Sequence, residues 1–148
     1  MIDLFRDWLP QIIGYAEAMQ DGTMESAWAE GDRSRTSVYY SGELYEQVFG
    51  DLHAHSMLDE ARQTLGDHSA VVTALDTFLL SLKRLDEWIE AHVDTKEWGK
   101  GQAIPASVRT IFNSPEWRDA NSAAGGLVAA AAQVGFRGAD WDPTKTLH

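Results

Sequence analysis

The strongest constraint in this chain is the spacing of its apolar residues between His68 and His92. His68, Val71, Leu75, Phe78, Leu82, Leu85, Ile89 and His92 follow one another at intervals of three and four without a break. Residues so spaced share one face of an α-helix, because about 3.6 residues complete a turn. Val72, Leu79 and Val93 widen the stripe, and Asp76, Lys83, Glu87 and Glu90 form a polar back. A helix with one broad apolar face must bury it against other elements. The pattern therefore predicts a long core helix over 67–93, with Gly66 ending the helix before it and Asp67 as its N-cap.

The remaining segments are read around that helix. Ile2, Phe5, Leu9, Ile12, Ile13, Ala16 and Met19 also keep helical spacing. Pro10 interrupts them, and a mid-helix proline removes a hydrogen bond and clashes with the preceding turn. Two short helices or one kinked helix are expected there, followed by a short helical segment over 23–30 and a polar loop over 31–36. Ser37 to Tyr40 is the one candidate strand, with nothing obvious to pair with. Over 43–65 the apolar face rotates. Leu44, Tyr45, Val48, Phe49 and Leu52 lie on one side, and Ala54, Met57, Leu58, Ala61 and Leu65 on another. A central helix packed on both sides, or a break near His53-Ala54-His55, accounts for the rotation. Pro105 is expected to open a short helix through Phe112. Ser114-Pro115-Glu116 supplies a cap, a first-turn proline and an acid, starting a last helix that runs to about Val134. Its small residues, Ala123 to Gly126 and Ala129 to Ala132, allow close backbone approach, and Gly135 ends it. Trp141 is the residue expected to dock an irregular tail.

The fold expected is all-α: five or six helices in a single irregular bundle, with the long central helix at about 67–93. A length of 148 residues predicts one domain over 1–148, with kinked N-terminal helices and loop in 1–36 and an irregular tail in 135–148. The chain has no cysteine, which excludes disulfides, thiolate catalysis and cysteine zinc sites. The start, Met1 to Asp7, carries acids where a signal peptide is basic and then apolar. The weakly polar stretch 123–134 is too short to span a bilayer. A cytoplasmic protein without a membrane contact is expected.

Three functional readings follow from the side chains. His53, His55 and His68, with Asp59 and Glu60 between them, include every ligand type a zinc or iron site needs. Their spacing does not place three ligands on one helical face, so surface histidines are the simpler explanation, and no metal or cofactor is expected. Arg62 precedes His68 by six positions, with Gly66-Asp67 between. This resembles the arginine–histidine pair of HEPN-type ribonucleases, which are small and all-α, and the resemblance implies an RNA-cleaving site at those two residues. A small helical enzyme using His53, His55, His68 and Arg62 is thus one reading. A second is an oligomerising module, monomer or homodimer, in which the 68–92 seam or the alanine-rich helix pairs with a copy of itself. No glycine-rich phosphate loop, nucleophile elbow or metalloprotease motif is found.

Charge carries the third reading. The formal net charge is −11, which disfavours direct contact with a nucleic acid backbone. Residues 1–60 hold 12 acids against three arginines, whereas residues 61–148 hold 11 acids against nine bases. The run 43–60 contains Glu43, Glu46, Asp51, Asp59 and Glu60 and no Lys or Arg. A solvated face that keeps the protein soluble is the plain explanation. A steering surface for a basic partner is the functional one, since like charges crowded on one element repel until a cation docks. Tyr39, Tyr40 and Tyr45 abut this run, and aromatic residues with polar tips dominate interface energetics. The six tryptophans are expected mainly in the core, with Trp28 and Trp98 the candidates for exposed contacts. The favoured expectation is a non-enzymatic binding protein of the immunity-protein, antitoxin or inhibitor kind, masking a basic surface of a toxin, nuclease or other nucleic-acid-handling protein.

Purified without a histidine tag, the protein should carry no stoichiometric transition metal. One equivalent of zinc, iron or manganese by elemental analysis, lost in His53→Ala or His68→Ala, would contradict this and favour the metal-site reading.

Overall fold

The computed structural model describes residues 4–25, 54–67, 69–92 and 105–138. Five helices lie among them: α1 (Leu4–Gln20), α2 (Ala54–Leu65), α3 (Ala70–His92), α4 (Pro105–Phe112) and α5 (Pro115–Gln133). Residues 23–25 are helical as well, and no strand occurs among the described residues. The chain is all-α, as its periodicity predicts.

The long central helix is α3. Val71, Leu75, Phe78, Leu82 and Leu85 are completely buried, and Val72, Leu79 and Ile89 nearly so. Its N-cap lies two residues after the one the sequence suggests. The Val71 amide donates to Ser69 Oγ at 3.2 Å, and the Thr73 amide donates to the Ser69 carbonyl at 3.0 Å. Ser69 is therefore the N-cap rather than Asp67, since the cap is the residue whose oxygen meets the first free amides. Gly66 ends α2 as expected, with φ +88° and its amide bonded to the Arg62 carbonyl.

Four helices form a closed ring. α3 packs on α5, α5 on α1, α1 on α2 and α2 on α3, and α4 leans on α5. This is the neighbour pattern of a four-helix bundle, with α1 and α3 on one diagonal and α2 and α5 on the other. The last turns of α3 lie beside the first turn of α5, and Gln20 at the end of α1 bonds Asn121 near the start of α5. Both pairs therefore run antiparallel.

Proline does not divide the first helix: α1 continues through Pro10. Around it Leu9, Ile12, Ile13, Tyr15, Ala16 and Met19 are buried. Several such side chains, each worth ~1.5–3 kcal/mol, outweigh the ~3 kcal/mol a mid-helix proline costs. Packing decides the outcome.

The fourth side of the bundle, α5, begins as its sequence signals. Ser114 Oγ accepts the Trp117 amide at 3.1 Å, Pro115 opens the helix and Glu116 stands in its first turn. Trp117 sinks into the core, tilted against Phe112 at 4.9 Å between ring centroids, so α4 is held at this corner. Ala120, Ala124, Leu127 and Ala131 are fully buried. The helix closes in a Schellman arrangement, with the Phe136 amide on the Ala131 carbonyl and the Gly135 amide on the Ala132 carbonyl. Gly135 supplies the positive φ that this closure needs, and Phe136 returns to the core. The chain then crosses α1, where a Cβ on Gly138 would lie 2.5 Å from the Gly14 nitrogen. Two glycines let the backbones touch there, and the Gly138 amide donates to Glu17 Oε1 at 2.9 Å.

Several sequence expectations fall outside the described residues: the helix over 43–53, the candidate strand 37–40, Trp28, Trp98 and the Trp141 tail. Of the two surfaces assigned to self-association, one is buried and the other is buried only in part. The α3 stripe packs in the core together with Ala124 and Ala131 of α5, whereas Gly126, Ala129 and Ala132 of the small-residue stretch are exposed.

Replacing Phe78 by Ala should destabilise the fold by about 3–5 kcal/mol in a urea melt. A loss below about 1 kcal/mol would mean that α3 does not hold the core.

Candidate functional site

Of the residues expected to form the acidic partner face, Asp59 and Glu60 lie in the described structure, on α2. Glu43, Glu46, Asp51, Tyr39, Tyr40 and Tyr45 lie outside it, as do His53 and His68. α2 turns Met57, Leu58 and Ala61 into the core. That leaves Asp59 exposed and Glu60 half-buried at the edge of the same helix. Arg62 bridges Asp59 at 3.5 Å and Asp76 of α3 at 3.9 Å. Its guanidinium therefore faces two carboxylates across the α2–α3 junction. Both pairs are well exposed, so their worth is at most about 1 kcal/mol. His55 is exposed. Among the described residues no group of three or more His, Asp or Glu is placed to hold a metal ion.

Two polar features were missed by the sequence reading. The first is a buried pair on the diagonal of the bundle. Tyr15 of α1 is wholly buried and its hydroxyl has no hydrogen-bond partner. Burial pushes its pKa well above the ordinary tyrosine value, and the charge of Asp86 adds to the rise. Asp86 is itself only 8% exposed. The signal was present in the sequence: Asp86 stands four residues after Leu82 and seven after Leu79, on the apolar stripe.

The second is a cleft of about 410 Å³ where the end of α3 meets the first turn of α5. Trp88 is partly buried against the core. His92, which the stripe places half-buried, is instead exposed. It stacks on Trp88, with centroids 4.8 Å apart and 17° between the planes. The apolar stripe has run past the edge of the bundle by this turn, so the ring covers tryptophan rather than core. His92 Nδ1 lies 3.0 Å from the Trp88 carbonyl. A carbonyl only accepts, so Nδ1 carries a proton in this contact. Glu87, Glu116 and Asp119 bring three carboxylates to the cleft, and Arg84 brings one cation. Glu116 Oε2 is shielded from solvent with no donor within reach. An acceptor in that state costs about 1–3 kcal/mol.

The hydroxyls of three serines are spent on the backbone. Ser69 and Ser114 accept amides at helix starts, and Ser81 donates to the Thr77 carbonyl. A smaller cleft of about 350 Å³, between Gln20 and Gly125, is lined by Glu17, Asp21, Val128 and Ala129. No family model, curated protein or solved structure matches this chain.

Tyr15→Phe removes a hydroxyl without a partner and should leave stability unchanged or raise it by up to about 1 kcal/mol. The pH dependence has a definite sign. Because the folded pKa is raised, Tyr15 keeps its proton in the native state while the unfolded chain loses it above about pH 10. Native stability is therefore complete below pH 10 and falls above it. Chemical melts between pH 9 and 11.5 should show a decline that is shallower in Tyr15→Phe by up to about 1.4 kcal/mol per pH unit. Parallel curves would mean that the hydroxyl is solvated.

Proposed function

We propose that this protein is a non-enzymatic acidic binding protein that masks a basic surface of another protein, as immunity proteins, antitoxins and other inhibitors do. One observation carries the proposal: the lopsided charge, 12 acids against three arginines in residues 1–60. An excess of one sign of charge draws in a partner of the opposite sign and speeds encounter. The structure supports the reading in two ways. Asp59 is exposed on the outward side of α2 and Glu60 stands at its edge, next to a core that holds that helix in place. The apolar stripe of α3 is spent inside the bundle, which leaves its polar back facing outward. Among the described residues no helix is long and apolar enough to cross a membrane, and we place the protein in the cytoplasm with its partner.

In this reading Glu43, Glu46, Asp51, Asp59 and Glu60 steer the partner, and Tyr39, Tyr40 and Tyr45 anchor it. Association with the natural partner, isolated by pull-down, should be fast at 0.01 M salt. It should slow markedly at 0.15 M as the screening length falls from ~30 Å to ~8 Å. The triple reversal Glu43→Lys, Glu46→Lys, Asp51→Lys should lower the on-rate, and Tyr40→Ala or Tyr45→Ala should act on the off-rate. An on-rate indifferent to both salt and the triple reversal would reduce the acidic run to a solubility feature.

A further inference from the structure

We draw no further inference here: the strongest candidate, the exposed small-residue surface of α5 at Gly126, Ala129 and Ala132 beside the cleft lined by Glu17, Asp21 and Val128, is an open helix surface, and nothing in the structure shows what covers it.

Discussion

The contact between α3 and α5 is the constraint on which the rest of the molecule depends. α3 offers large side chains, Leu75, Phe78, Leu82 and Leu85, and α5 offers small ones, Ala120, Ala124 and Ala131. Large against small lets two helix axes come close while the interior stays filled. α1 then packs on the other flank of α5, and α2 closes the ring between α1 and α3. Every surface feature of functional interest is a by-product of that arrangement. The α3–α5 cleft opens where the two helices reach the end of their shared core, and the acids of α2 face outward because Met57, Leu58 and Ala61 face inward.

Much of this was legible in the sequence because helical periodicity and capping chemistry are local signals. The stripe from Val71 to Ile89 is the observed core of α3, and Ser114-Pro115-Glu116 is the observed start of α5. Pro105 to Phe112 is α4 to the residue. The departures have physical reasons. Asp67 and Ser69 are both acceptable caps, and only the hydrogen bond to the Val71 amide decides between them. Pro10 reads as a break or a kink, and the helix runs through it because the burial around it is a property of the assembled bundle, which a local rule does not contain. Tyr15 and Asp86 went unremarked for the same reason. Each sits on an apolar stripe of its own helix, and their electrostatic coupling exists only once α1 and α3 face each other across the bundle.

The candidate site was less legible than the fold. Charge is visible in a sequence, so the acidic bias of the first 60 residues was plain, but the neighbours of a charge are not. Arg62 illustrates this: its spacing to His68 resembles a ribonuclease pair, whereas its guanidinium is turned towards Asp59 and Asp76. The carboxylates of the cleft come from two helices some thirty residues apart in sequence. Glu116 reads simply as a favourable first-turn acid. Only the meeting of α3 with α5 gives it the company of Trp88 and His92.

The central proposal is that the acidic run within the first 60 residues is what a basic partner covers. Amide hydrogen exchange, compared between the free protein and its complex, tests that claim most directly. The account predicts added protection in residues 39–65, with exchange unchanged at the Schellman end of α5. Protection confined to residues 130–138, with none in 39–65, would contradict it.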